Sequence, residues 1–108
     1  MPELKIKGVE IKEVCSISKE LVDELQKLIQ CPRSYFTLEC VNSTFVLDGE
    51  CVSTHPTIEV SWFDRGQELQ DKTAKVITKY INYLGYKEAD IIFNLLEKKR
   101  YYENGEHF

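Results

Sequence analysis

A chain of 108 residues is long enough for one compact domain and too short for two. With 43% hydrophobic and 30% charged residues it reads as a soluble globular protein, and a formal net charge of −4 argues against a nucleic-acid binder, which carries a basic face. No apolar run approaches the roughly 20 residues that cross a bilayer and no signal peptide opens the chain, so no membrane partner is expected and the expected location is cytoplasmic.

Pro2 to Lys7 reads as a short strand, because Leu4 and Ile6 alternate with Glu3, Lys5 and Lys7. Gly8 allows a turn. Val14, Ile17, Leu21, Leu25 and Leu28 then recur at helical steps, widened by Val22 and Ile29, and predict an amphipathic helix from Glu10 or Ser16 to Gln30, ended by Pro32. Phe36 to Val41 is rich in strand formers. Phe45–Leu47 and Glu50–Val52 flank the turn pair Asp48-Gly49 and predict a hairpin. After His55-Pro56, Thr57 to Phe63 alternates as a strand, Gln67 to Leu84 forms a helix capped by Gly85, and Ile91 to Leu96 is a nearly continuous apolar strand.

The two halves agree in pattern. Pro2 aligns with Pro56, Leu21-Val22 with Val76-Ile77, and Phe36 with Ile91, at a spacing of 54 or 55 residues. Residues 1–108 are therefore expected as a single α+β domain with an internal pseudo-repeat, 2–41 and 56–96. Two right-handed β-α-β units in one mixed sheet place both helices on the same face, giving a two-layer sandwich. The other sheet face, offering Lys5, Glu39, Ser61 or their neighbours, stays open. With Trp62, Phe63, Phe93 and Phe45 to Leu47 making both faces partly apolar, burial by a second subunit is expected.

Four cysteines lie far apart, with no C-x-x-C pair, and read as reduced, mostly buried thiols; no metal and no cofactor are expected. Asn42-Ser43-Thr44 fits the glycosylation sequon, but nothing marks a secretory chain. Lys98-Lys99-Arg100 reads as a solvated turn. Tyr101 to Phe108 reads as a short terminal strand.

Pro2 bears on chemistry. Released from Met1, it is a secondary amine, and burial disfavours its cation, so it can serve as a base near neutral pH. While Met1 remains, the same nitrogen is an amide.

The N-terminal proline on a strand, the two β-α-β units and the run Ile92-Phe93-Asn94 before a polar aromatic tail resemble the tautomerase superfamily. The length is similar to its macrophage migration inhibitory factor branch. Val60 to Gln67, Phe36 to Glu39 and Tyr101 to Phe108 look more closely like a small uncharacterised bacterial branch. The resemblance implies a homotrimer and a pocket at subunit interfaces, where the terminal proline moves a proton between carbon and oxygen of a small carboxylated keto or enol substrate. It makes Pro2 the catalytic base and Arg65, Asn94, Tyr101 and Tyr102 candidate substrate-binding residues. Departures are plain as well: Ile92 stands where the migration-factor branch has its pocket tyrosine, Phe36 where the small tautomerases have an arginine, and only Arg33 lies near the place of the migration-factor pocket lysine. The alternative expectation is a non-catalytic trimeric binding protein that keeps the fold.

Overall fold

The computed structural model describes residues 1–108. In chain order the elements are β1 (Glu3–Lys7), α1 (Ile11–Ile29), β2 (Thr37–Val41), β3 (Phe45–Leu47), β4 (Glu50–Val52), β5 (Thr57–Phe63), α2 (Gln67–Tyr83), β6 (Asp90–Leu96), β7 (Tyr102–Glu103) and β8 (Glu106–His107). Four strands form the main sheet in the order β2-β1-β5-β6. The outer pairs, β1 with β2 and β5 with β6, are parallel, and the central pair β1 with β5 is antiparallel. A parallel pair cannot be closed by a tight turn, and α1 and α2 supply the two crossovers.

Both helices cover one face. Glu24 of α1 accepts from the Lys79 ammonium of α2 at 2.7 Å and from the Tyr80 hydroxyl at 3.0 Å. α1 turns Val14, Ile17, Leu21, Val22, Leu25 and Ile29 inward, and α2 turns Thr73, Ile77 and Ile81. The strands answer with Leu4, Ile6, Ile58, Val60 and Trp62, all buried. Thr73 tolerates this core because its hydroxyl donates to the Leu69 carbonyl at 2.8 Å.

The open face follows the register. Glu39, Lys5, Glu59 and Ile92 form one row, and Thr37, Glu3, Ser61 and Asn94 the next. Trp62 is fully buried with its ring 5.1 Å from that of Phe93, so both belong to the helix-covered side. The apolar part of the open face is thus narrower than the composition suggests, comprising Phe63, Ile92 and Leu96 towards β6.

Each β-α-β unit is followed by a hairpin outside the main sheet, β3–β4 and β7–β8. Both turn on two residues with positive φ: Asp48 and Gly49 at 52° and 78°, Asn104 and Gly105 at 54° and 84°. That is the turn whose twist suits a two-residue hairpin. The repeat therefore runs on into the tail, where a single strand was expected. These hairpins stretch the molecule to 44 × 28 × 25 Å, and its radius of gyration of 14.9 Å exceeds the roughly 13 Å of a compact chain this long. All four thiols are free. Cys31 and Cys40 are half-buried, but Cys15 and Cys51 are exposed, because one lies on the polar side of α1 and the other on the β3–β4 hairpin.

Candidate active site

The head of β1 is fixed before its first regular residue. Pro2 is fully buried, and its carbonyl accepts from the Thr37 N–H at 3.2 Å. Glu3 faces Ser61 in the β1–β5 register; continuing it places Pro2 beside Trp62 and Met1 beside Phe63. The chain head is thereby enclosed between β2 and the end of β5.

Arg65 returns to this corner from the loop after β5. Its guanidinium carbon lies 5.8 Å from the Trp62 ring centroid, a cation–π arrangement. Burial first, then the Arg65 charge, hold the Met1 amine below its ordinary range, with Cys31 and Glu3 acting in the opposite direction. The loop keeps its shape because Asp64 caps it locally, accepting from the Gly66 N–H at 3.0 Å.

The C-terminal tail meets the same corner. Tyr101 and Phe108 pack on Phe63, with centroids at 5.7 and 5.5 Å, and on each other at 4.9 Å. The Phe108 N–H donates to the Tyr101 carbonyl at 3.0 Å and closes the tail upon itself. Burial, then the charges of Glu3 and Glu103, push the Tyr101 hydroxyl above its ordinary range.

Of the five candidate residues, Pro2, Arg65 and Tyr101 share one corner of the sheet. Asn94 lies next to it on the open face, where its amide makes a long 3.5 Å contact with Ser61 Oγ. Tyr102 stands apart on β7, 62% exposed, with its ring edge-on to His107. Glu3, Trp62, Phe63 and Phe108 were missed as site residues. In the sequence the first three carry only strand alternation, and nothing local indicates that Phe108 folds back onto Phe63. A separate cleft of about 730 Å³, lined by Gly8 to Lys12 and Cys40 to Ser43, lies at the far end of β1.

The family model described as "Domain of unknown function (DUF1904)" matches residues 1–107. The chain belongs to the DUF1904 family. A crystal structure of a DUF1904 domain from Sebaldella termitidis is 39% identical, with each chain covered over 100% of its length and a TM-score of 0.93. Beyond the family, a macrophage migration inhibitory factor-like protein from Entamoeba histolytica has a TM-score of 0.76 at 17% identity, covering 99% of this chain and 98% of its own. A fused 4-OT solved as a symmetric trimer has a TM-score of 0.70 at 17% identity, covering 98% and 94%. The DUF1904 chain therefore has a tautomerase-like fold. No curated protein matches the sequence.

Proposed function

We propose that this DUF1904 protein is a tautomerase-like enzyme that transfers a proton between carbon and oxygen of a small carboxylated keto or enol compound, with Pro2 as base after removal of Met1. The observation that carries this reading is the enclosure of the chain head beside Arg65. Without Met1, the Pro2 amine takes over the head position, where burial and the neighbouring cation both disfavour protonation. Arg65 then serves the carboxylate, and Tyr101, half-buried at the same corner, serves the developing enolate oxygen. Asn94 borders the site from β6. Tyr102 enters it only through movement of β7 or from a neighbouring subunit.

The reading includes a homotrimer. Its support is the trimeric fused 4-OT of like fold, the uncovered edges of β2 and β6, and two hairpins that find no partner strand in their own main sheet. An unpaired edge is a template for a further strand.

A second reading, a trimeric binding protein without catalysis, is favoured by Ile92, whose aliphatic side chain is exposed on the open face beside the row that carries Asn94. Intact mass and activity separate the two. Protein lacking Met1 is expected to ketonise phenylpyruvate, and Pro2→Ala to lower the rate at least about tenfold, the low end of what a positioned base supplies. Retention of Met1 on protein from the native host, or equal rates in wild type and variant, favours the binding protein.

A further inference from the structure

Glu3 is the first side chain of β1 and stands on the open face, between Thr37 of β2 and Ser61 of β5. Phe63, two residues beyond Ser61, lies on the same face and is the diagonal neighbour of Glu3. The Tyr101 ring packs edge-on to Phe63 at 5.7 Å. Strand alternation thus sets the Glu3 carboxylate between the chain head, next to it in sequence, and the tail residue that packs on Phe63.

Two other acids of this face are engaged. Glu59 pairs with Lys7 at 3.6 Å, and Asp90 with His55 at 2.8 Å. Glu3 is half-buried and takes part in none of the chain's ion pairs. Its charge falls on two groups of the corner. The chain-head amine is lowered by burial and Arg65, and raised by Cys31 and, least, by Glu3. The Tyr101 hydroxyl is raised by burial, then by the charges of Glu3 and Glu103, its hydrogen bond to Glu3 adding least.

We propose that Glu3 is a positioning residue of the chain-head site, whose carboxylate draws the Tyr101 hydroxyl to the head of β1 and serves as counter-charge to the protonated head amine. The catalytic part rests on reading that corner as the substrate site. When Pro2 takes a proton from the substrate carbon, the C–H electron pair moves onto oxygen as an enolate and the amine becomes a cation. Burial and Arg65 both oppose that cation, and a carboxylate on the adjoining residue offsets them. Tyr101 has one hydroxyl proton, which Glu3 accepts at rest. Once the new ammonium becomes the partner of Glu3, that proton is free for the enolate oxygen.

The test is a pair of titrations and needs no turnover. Trace acetylation by acetic anhydride across pH, read by mass spectrometry on the N-terminal peptide, follows the head amine of the chain as purified. Labelling with ¹³C-tyrosine follows Tyr101, identified as the resonance lost in Tyr101→Phe. In Glu3→Gln, which keeps the length and shape of the side chain, both groups are expected to titrate at lower pH than in wild type. The amine then moves opposite to its expected shift in Arg65→Gln. Glu39→Gln makes the same change of net charge beside Lys5 in the next row, and is expected to leave both groups in place in about 0.1 M salt. If Glu3→Gln loses its circular dichroism, Glu3→Thr, a strand former, is titrated in its place.

The proposal is overturned if either group keeps its wild-type titration without Glu3, or if Glu39→Gln moves both equally, which would reduce the effect to net charge. Shifts of both groups in a protein that does not ketonise phenylpyruvate leave the placement of Glu3 standing and remove the catalysis. Ketonisation that depends on Pro2, with neither group shifted in Glu3→Gln, keeps the catalysis and removes Glu3 from it.

Discussion

Arg65 touches the proposed chemistry through charge as well as contact. After burial, its charge is the next cause that lowers the pKa of the Met1 amine at the chain head, so its removal should raise that amine's pKa. For protein lacking Met1, the acidic limb of the pH profile of kcat/KM is expected to move to higher pH in Arg65→Gln. A limb that stays in place while KM rises would confine Arg65 to binding. At the other end of the sheet, His55 is exposed between Asp90, at 2.8 Å, and Glu88, at 3.6 Å. The hydrogen bond and charge of Asp90 raise its pKa above the ordinary 6.5 against the opposing effect of burial, and the charge of Glu88 adds least. A raised folded pKa gives stability that is whole below the unfolded value and lost as pH rises through the folded one. The Tm difference between wild type and His55→Gln is therefore expected to be widest below the unfolded value and to close as pH rises through the raised folded one. A difference independent of pH would remove the ionic contribution.

At the scale of elements, the joint between the two β-α-β units is tightest at Gly8. This residue has φ of +84°, and a Cβ built on it would stand 3.1 Å from Pro56 Cα, a backbone atom that cannot turn aside. Gly105 has the same φ of +84° with open space around it. Alanine at either position meets the left-handed penalty of about 1–2 kcal/mol, but only Gly8→Ala also crowds the second unit. Gly8→Ala is expected to lower Tm by about 8 °C or more, and Gly105→Ala by clearly less, in paired thermal melts. Equal losses would mean that the Pro56 contact yields freely. Most elements were legible in the sequence: β5 and the β3–β4 hairpin fall on the predicted residues, α2 agrees to within a residue, and α1 starts at Ile11, next to the Glu10 alternative and not at Ser16. The tail hairpin was not read: Asn104-Gly105 is a turn pair like Asp48-Gly49, but the few residues on either side give too little alternation to mark two strands.

For the whole molecule, the decisive quantity is what covers the arms. Val46 and Leu47 on β3 are 66% and 62% exposed, and Ile92 and Leu95 on the β6 edge are 46% and 54% exposed. Under the proposed trimer, light scattering should give about 38 kDa, three copies of the 12.6 kDa chain. Val46→Glu should move the protein towards the single-chain mass with its helical circular dichroism retained, since Val46 lies outside the core cluster. A wild-type monomer at micromolar concentration would overturn the trimer.

Local periodicity by itself determined the strands, the two helices, the repeat and the two-layer arrangement, because apolar spacing fixes which face each element must bury. Resemblance to a family, not periodicity, singled out Asn94 and Tyr102, and with them Pro2, Arg65 and Tyr101. That these three meet at one corner was decided by the tertiary structure. The antiparallel β1–β5 register, continued one residue past Glu3 and Ser61, sets Trp62 beside Pro2, the loop after β5 returns Arg65 to the chain head, and the tail hairpin brings Tyr101 and Phe108 onto Phe63. Such contacts join residues at opposite ends of the chain, and no local pattern encodes them.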